Sequence, residues 1–261
     1  MPYAEFDEVR LHIRQAGSGP VALFVHGFPL DSSMWIDQLR ALSEVRRCIA
    51  VDLRGFGRSS EVNGSPLRME ELADDLAGVL DLVSEERADI IGFSMGGYAA
   101  LAFAEIYPKR MRTLALVDTR SGADSAEGKA GRDAMAQKLV TDGRAAIAEL
   151  MQAGLLGPQA SIAAQARLRT MIENCPYETI VGALGGMRDR TDRTEVLGTI
   201  DVPTAVIVGE DDGVTPPAEA EAMAAAVGDA TLTIVAESGH MSPIEQPAAV
   251  NDALLELFNR V

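Results

Sequence analysis

The sequence predicts an α/β protein in which a mostly parallel sheet is flanked by helices. Short apolar runs alternate with longer segments whose apolar residues recur at helical spacing, and this alternation is typical of parallel strands joined by helical crossovers. A length of 261 residues fits one such core with an insertion. Because 47% of the residues are hydrophobic, the chain can bury a full core, which excludes a disordered protein.

Seven segments have the pattern of strands. Residues 9–14 alternate apolar and polar side chains, which is typical of a half-exposed edge strand in a hairpin. Residues 21–25 are apolar throughout and predict a buried central strand. The other predicted strands are residues 48–51, 88–93, 113–117, 204–208 and 231–235.

Helices are predicted between the strands, at residues 68–83, 95–107, 217–227 and 247–259. The first has leucines and valines on one face and acids on the other. Pro108 ends the second, and prolines open the last two at positions that suit a first helical turn.

One long stretch, from Ser121 to about Arg190, contains no predicted strand. A crossover between parallel strands needs only about a dozen residues, so this stretch is too long for a single crossover. It predicts a helical cap over residues 121–190, with residues 1–120 and 191–261 forming the core. The alternative is a set of crossover helices without a functional role.

Composition and charge exclude several classes of function. The 23 Lys and Arg residues against 39 Asp and Glu give a net charge of −16, which argues against nucleic-acid binding and disfavours anionic substrates. The chain begins without a signal-peptide pattern, and no apolar run approaches the ~20 residues of a membrane span. The two cysteines, Cys48 and Cys175, lack the spacing of a zinc site. We therefore expect a cytoplasmic protein that uses no metal.

The segment Gly92-Phe93-Ser94-Met95-Gly96 is the most informative in the chain. A predicted buried strand enters this Gly-x-Ser-x-Gly pattern and a predicted helix leaves it, which is the setting of a nucleophile elbow. The free N–H groups and the positive dipole end of that helix would face the same turn. The pattern indicates that Ser94 is a catalytic nucleophile.

A serine nucleophile needs a general base, usually a histidine that a carboxylate orients. The chain has three histidines, at positions 12, 26 and 240. His240 follows the last predicted strand, at the sheet edge where catalytic groups of α/β proteins gather, and is the predicted base.

The carboxylate is expected between nucleophile and base in chain order. Three adjacent acids, Glu210, Asp211 and Asp212, follow a buried strand, and spacing alone does not choose between them. Asp118, at the end of another strand, is a further candidate on the same sheet edge.

The chain resembles an α/β-hydrolase of the serine-esterase type over nearly its whole length. The resemblance rests on segments that are weak singly and specific together: His26-Gly27-Phe28-Pro29, Asp52-Leu53-Arg54-Gly55-Phe56-Gly57-Arg58-Ser59, Gly92 to Gly97, Gly209-Glu210-Asp211-Asp212 with Thr215-Pro216, and Gly239-His240. It implies an eight-stranded, mostly parallel sheet, with a helical cap inserted after the sixth strand.

The resemblance also implies roles for individual residues. The triad acid falls on Asp212, which leaves Asp211 as a solvated neighbour. The backbone N–H groups of Phe28 and Met95 are the expected oxyanion hole. His26 is expected to shape its loop without taking part in the chemistry. No cofactor is implied.

The function that follows is hydrolysis of small to medium carboxylic esters through an acyl-enzyme on Ser94. The resemblance extends equally to enol-lactone hydrolases and to cofactor-free haloperoxidases, or perhydrolases, that use the same triad. A hydrolase-fold ligand receptor is a further alternative. Haloalkane dehalogenases and epoxide hydrolases are disfavoured, because both have Asp at the position of Ser94.

Two residue types in the predicted cap leave open questions. Its four methionines, Met135, Met151, Met171 and Met187, suit either a cavity for flexible aliphatic acyl groups or simple packing of the cap on the core. Five arginines could bind a substrate carboxylate, although exposure or pairing with nearby acids is the expectation. These are Arg167, Arg169, Arg188, Arg190 and Arg193.

Overall fold

A computed structural model of the chain describes residues 2–6 and 9–261, in which eight strands form one sheet. The strands are β1 (Tyr3–Phe6), β2 (Val9–Ala16), β3 (Val21–Val25), β4 (Arg47–Val51), β5 (Ala88–Phe93), β6 (Met111–Val117), β7 (Thr204–Gly209) and β8 (Ala230–Val235). Their order across the sheet is β1-β2-β4-β3-β5-β6-β7-β8. The pairings from β4 to β8 are parallel, and those of β1 with β2 and β2 with β4 are antiparallel.

The described part of the chain has ten α-helices, eight between strands and two after the last strand. They are α1 (Ile36–Leu42), α2 (Met69–Leu82), α3 (Met95–Ile106), α4 (Ala126–Leu155), α5 (Ile162–Asn174), α6 (Tyr177–Arg188), α7 (Thr194–Leu197), α8 (Pro217–Ala226), α9 (Ser242–Glu245) and α10 (Pro247–Phe258). Helices α1 and α10 pack against each other, as do α2 and α3. The sheet with its helices confirms the predicted fold class. None of the helices within residues 2–6 and 9–261 is long and apolar enough to cross a membrane.

The predicted strands and helices are confirmed with ends shifted by one or two residues, apart from the start of the sheet. The predicted edge strand, residues 9–14, is β2, which lies second from the edge and pairs on both sides. The edge position belongs to β1, a four-residue strand that is too short for its pattern to stand out in the sequence. At the other edge, β8 alternates partly buried and exposed residues.

The core of the sheet is apolar, and a buried ion pair stabilises one end of it. Every residue of β3 and β5 is buried, as expected for central parallel strands. Arg46, next to β4, donates from Nε to Asp89 Oδ2 of β5 at 2.7 Å and from Nη2 to the Phe258 carbonyl at 2.8 Å.

The segment from 121 to 190 contains helices α4 to α6 and no strand, as its sequence predicts. Helix α4 is interrupted at Gly143, whose φ of 77° and ψ of 178° lie outside the helical region. Glycine populates this region without the steric cost of a Cβ. The division of the chain into a core and a cap stays a prediction.

Candidate active site

Ser94 lies in a strained turn between β5 and α3. Its φ is 50° and its ψ −115°, a left-handed conformation that is uncommon for a residue with a side chain. The turn is tight enough that a Cβ on Gly96 would lie 2.4 Å from the Val25 carbonyl oxygen, and one on Gly92 would lie 2.5 Å from the Gly96 carbonyl oxygen. Only glycine fits at 92 and 96, so the Gly-x-Ser-x-Gly pattern is a packing requirement of this turn.

His240 reaches Ser94 from the loop that follows β8. Its Nε2 lies 2.9 Å from Ser94 Oγ, and its side chain is buried. The loop is fixed by its backbone, since His240 N–H donates to the Leu155 carbonyl at 2.8 Å. The carboxylate of Glu245 accepts from the N–H groups of Gly239 and Met241 at 3.0 and 3.2 Å.

Asp212 completes a continuous chain of hydrogen bonds, with its Oδ2 2.8 Å from His240 Nδ1. The same carboxylate accepts the N–H groups of Val214 and Thr215 at 2.8 Å each and the Thr215 hydroxyl at 2.6 Å. Burial opposes ionisation of Asp212, but the hydrogen bonds from His240 and Thr215 outweigh it, and its pKa is lowered. An ionised carboxylate only accepts hydrogen bonds, so Nδ1 of His240 carries the proton and Nε2 accepts the Ser94 hydroxyl.

The other candidate acids do not contact His240. Glu210 and Asp211 are exposed. Asp118 is fully buried at the end of β6 and accepts from the Gly209 N–H at 2.9 Å and from the N–H and hydroxyl of Ser242 at 3.2 and 2.5 Å. Burial, together with the charge of Asp212, raises the pKa of Asp118 well above its ordinary value. Asp118 therefore joins the end of β7 to the start of α9 beside the site.

Two backbone N–H groups beside Ser94 have no acceptor in the described chain, those of Phe28 and Met95. Met95 is the first residue of α3, where an N–H has no partner within the helix. The loop that carries Phe28 lies against the serine, because a Cβ on Gly27 would be 2.9 Å from Ser94 Cβ. Both residues of the expected oxyanion hole are thus next to Ser94.

His26 and Asp52 of the 52–59 loop form hydrogen bonds with backbone groups. His26 Nε2 accepts the Leu53 N–H at 3.0 Å, so its Nδ1 is the protonated nitrogen, and it donates to the Gly27 carbonyl at 2.9 Å. Burial lowers the pKa of His26, in keeping with a neutral ring. Asp52 accepts from the N–H groups of Ser32 and Arg58 at 2.7 and 3.0 Å, which fixes the loop.

A cavity of about 360 Å³ opens onto Ser94 and His240. Helix α4 supplies half of its lining residues, α6 supplies Met187, and most of the lining is apolar. The lining residues are Phe28, Ser94, Tyr98, Arg132, Met135, Leu150, Met151, Gly154, Leu155, Met187, Val214 and His240. Three of the four methionines considered from the sequence line this cavity, and Met171 lies elsewhere, beside Asn174 and Cys175.

The five arginines considered from the sequence are all paired with acids, as expected. Their partners are Asp37 for Arg167, Glu173 for Arg169, Asp133 and Asp189 for Arg188, Asp124 for Arg190, and Glu70 and Glu105 for Arg193. None of the five lines the cavity. The arginine that does line it, Arg132, was not among the predicted site residues, nor were Tyr98 and Glu245.

Within residues 2–6 and 9–261, no group of three or more His, Cys, Asp or Glu side chains is arranged to hold a metal ion. The two cysteines of this part of the chain are buried and unpaired, and burial raises the pKa of each thiol to about 12.

Comparison with known proteins gives the same fold. The sequence profile of the α/β hydrolase fold family matches residues 20–247. A thermophilic esterase from Thermogutta terrifontis, in its malate-bound form, superposes with a TM-score of 0.93 at 38% identity, covering 97% of this chain and 94% of that one. The enol-lactonase from Burkholderia xenovorans LB400 superposes with a TM-score of 0.90 at 27% identity, covering 99% of this chain and 100% of that one.

A relative known from sequence agrees with these structures. The 3-oxoadipate enol-lactonase 2 of Acinetobacter baylyi is 25% identical over 249 residues, which are 92% of this chain and 89% of the relative. The profile match spans most of the chain, and the eight-stranded sheet carries Ser94 on its strand-to-helix turn. The chain therefore belongs to the α/β hydrolase fold family and is an enzyme of that superfamily.

Proposed function

We propose that the protein is a cofactor-independent serine hydrolase that cleaves carboxylic esters of small to medium acyl chain. The observation that carries this proposal is the unbroken hydrogen-bond chain from Ser94 through His240 to Asp212, which opens onto an apolar cavity. A nucleophile, a base and an orienting acid within hydrogen-bond reach are the requirement for acyl transfer by serine.

Each of the three residues has a definite task in this reaction. Nε2 of His240 takes the Ser94 proton as Oγ attacks the ester carbonyl, and the resulting imidazolium later protonates the leaving alcohol. Asp212 keeps the imidazole in the tautomer that allows this transfer. A water molecule, activated by His240 in the same way, then releases the acid from Ser94.

The oxyanion of the tetrahedral intermediate is assigned to the N–H groups of Phe28 and Met95. Both donors are next to Ser94 and have no acceptor in the described chain, so neither has to break a bond in order to act. A donor aimed at the developing charge is typically worth about 3–4 kcal/mol of transition-state stabilisation.

The cavity favours aliphatic acyl groups. Methionine is flexible and polarisable, and Met135, Met151 and Met187 line the cavity, so their side chains can adapt to alkyl chains of different length. A volume of about 360 Å³ lies near the lower end of small-molecule sites, which is in keeping with small to medium substrates.

Relatives support both ester and lactone substrates. The Thermogutta terrifontis protein is an esterase, and two of the similar proteins are enol-lactonases. A lactone is a cyclic ester that the same three residues can open, so lactone hydrolysis is the second candidate function. Perhydrolase activity and ligand reception are not favoured by any feature of the site.

The test compares Ser94→Ala with Ser18→Ala, which makes the same change at an exposed serine distant from Ser94 in the sequence. We expect Ser94→Ala to lose nearly all hydrolysis of p-nitrophenyl acetate and butyrate while Ser18→Ala keeps the wild-type rate. Intact-mass measurement during wild-type turnover should detect the acyl adduct. Near wild-type activity in Ser94→Ala would overturn the proposal.

A panel of lactones measured with the same variants separates the two candidate functions. A kcat/KM for lactones that exceeds the value for open-chain esters of equal carbon number would assign the protein as a lactonase. The reverse order would favour the esterase.

A further inference from the structure

One charged side chain stands out in the otherwise apolar lining of the cavity. Among the described residues, Arg132 of α4 is the only one in the lining with a permanent charge, and its side chain is about one-quarter exposed, at 24%. Its Nε donates to Asp124 Oδ2 at 3.0 Å. Within residues 2–6 and 9–261 its two terminal nitrogens, Nη1 and Nη2, donate no hydrogen bond. These nitrogens are therefore available to a ligand.

Asp124 does not cancel the charge of Arg132, because a second arginine shares the same carboxylate. Arg190 donates from Nη1 to Asp124 Oδ1 at 2.6 Å. Burial opposes ionisation of Asp124, but both arginines outweigh it, and its pKa is lowered. Two guanidinium groups share the carboxylate of Asp124, and a second carboxylate, that of Asp192, acts on Arg190.

Arg190 is held by several contacts of its terminal nitrogens and its ring-stacked plane, and its Nε is buried without a hydrogen-bond partner in the described chain. It is buried, it donates to the carbonyls of Met187 and Gly122 at 2.9 and 2.7 Å, and it lies over the ring of Tyr98 at 4.2 Å. Arg132 is the arginine of this cluster that faces the cavity, and its terminal nitrogens are free donors there.

We infer that Arg132 binds a carboxylate on the substrate, so that the preferred substrates are aliphatic esters or lactones bearing one carboxylate a short chain away from the scissile carbonyl. This inference rests on the proposed function of the site. A planar guanidinium with two free terminal nitrogens matches a carboxylate in geometry. A single guanidinium in the lining suits a monoanion, whereas a phosphate dianion would leave an uncompensated charge in an apolar cavity.

The net charge of −16 does not argue against this inference. Charges farther away than the Debye length of about 8 Å are largely screened at physiological ionic strength, whereas a group inside the cavity interacts with Arg132 at short range. The apolar walls, which keep water away, strengthen that interaction. The overall charge leads to the expectation that anionic substrates are disfavoured. The local charge of Arg132 replaces it with the expectation that a substrate carboxylate is favoured.

Matched pairs of esters test the inference. In the acyl arm, monomethyl adipate is compared with methyl hexanoate, which has a methyl group in place of the carboxylate. In the alcohol arm, 4-acetoxybutanoate is compared with butyl acetate in the same way. Hydrolysis is measured as acid release at constant pH. The quantity compared is the ratio of kcat/KM for the anionic ester to kcat/KM for the neutral ester.

We expect wild-type protein to prefer the anionic member of one arm by about tenfold or more, the range for a charge-assisted hydrogen bond, and that arm identifies the side of the ester that faces Arg132. Arg132→Gln should lower this ratio to near one, and Arg132→Lys should restore part of it. The control is Arg188→Gln, which removes the same charge from the same segment but pairs with Asp133 and Asp189 outside the cavity. This control should keep the wild-type ratio.

The ratio measured for the wild-type protein alone provides a test that does not depend on any variant folding. A wild-type ratio near one in both arms would overturn the inference while leaving the esterase proposal intact. Full activity of Ser94→Ala would instead overturn the proposed function.

Discussion

Replacing Asp212 with asparagine exchanges one carboxylate oxygen for an NH2 group and leaves the size of the side chain unchanged. In the protein, Oδ1 accepts the N–H groups of Val214 and Thr215, and Oδ2 accepts the Thr215 hydroxyl and His240 Nδ1. The asparagine oxygen has to remain on the two backbone N–H groups, because an NH2 group cannot accept from them. The NH2 group then faces His240 Nδ1.

A donor facing Nδ1 selects the wrong tautomer of His240. The ring proton moves to Nε2, which can no longer accept the Ser94 hydroxyl. Restoring the active tautomer requires the amide to flip, which leaves the two backbone N–H groups without an acceptor at about 1–3 kcal/mol each. The flip therefore costs about 2–6 kcal/mol, or roughly 30-fold to 10⁴-fold in rate.

Loss of the negative charge beside the imidazolium adds to this cost. We therefore expect the larger of these losses, with kcat of Asp212→Asn about 10⁴-fold below wild type, as in serine hydrolases of the same triad type. The assay is steady-state hydrolysis of p-nitrophenyl butyrate. The matched control is Asp211→Asn, the same substitution at the exposed neighbour, which should retain wild-type kcat.

Spectroscopy separates the tautomer argument from a general loss of structure. The chain has three histidines, so ¹⁵N-labelled histidine gives few signals, and the Nδ1 and Nε2 shifts of His240 report its tautomer directly. We expect the proton on Nδ1 in the wild type and on Nε2 in Asp212→Asn. Retention of kcat within tenfold of wild type by Asp212→Asn, combined with a large loss in Asp118→Asn, would refute the reasoning and move the orienting acid to Asp118.

The remaining predictions concern stability. The pKa of Asp212 is lowered because its hydrogen bonds outweigh burial, so its carboxylate stabilises the fold above about pH 4. This contribution disappears as pH falls through the lowered pKa. In urea titrations, the difference in the free energy of unfolding between wild type and Asp212→Asn should therefore become smaller as the pH is lowered. Gly131→Ala in α4, where a Cβ meets no atom within 4 Å, should raise the free energy of unfolding by about 0.5–1 kcal/mol. Gly96→Ala, whose Cβ would meet the Val25 carbonyl, should lower it by about 3 kcal/mol or more. Asp89→Asn breaks a buried ion pair and should lower the free energy of unfolding in urea by about 3–5 kcal/mol, with little change in kcat. A large loss of kcat in the folded variant would contradict this purely structural role.

Local patterns were sufficient for the fold and for the strand-to-helix turn that carries Ser94. Apolar runs predict the central strands because residues buried on both faces of a parallel sheet have no polar alternation. The glycines at 92 and 96 mark the turn because their missing side chains are required within the few residues of the turn itself. Such features depend on near neighbours in the chain, and the sequence displays them directly.

The orienting acid depends on distant parts of the chain, and local spacing left it open. Which of Glu210, Asp211, Asp212 and Asp118 reaches His240 is decided by how the loops after β6, β7 and β8 meet at the edge of the sheet. Only the resemblance to α/β-hydrolases pointed to Asp212, and the structure places that carboxylate 2.8 Å from the ring. The other acids differ from it in position, not in chemistry.

The lining of the cavity was the least predictable part. Helix α4 is polar over much of its length, so helical spacing does not reveal which face it turns toward Ser94. That orientation follows from packing of α4 against α5 and α6, which the sequence does not show. The sequence offers arginines at five other positions as candidate carboxylate ligands by their chemistry alone. The inferred role of Arg132 as a carboxylate ligand follows only from its place in the cavity lining.

Backbone contacts join the end of α4 to the loop that carries His240. The Leu155 carbonyl accepts the His240 N–H at 2.8 Å, and the partly buried carboxylate of Glu245 accepts the N–H groups of Gly157 and Gly239 at 2.8 and 3.0 Å. Pulling this end of α4 away would leave Glu245 short of donors and release the loop, at about 1–3 kcal/mol for each bond lost. The end of α4 therefore holds His240 in register with Ser94 as well as closing the cavity.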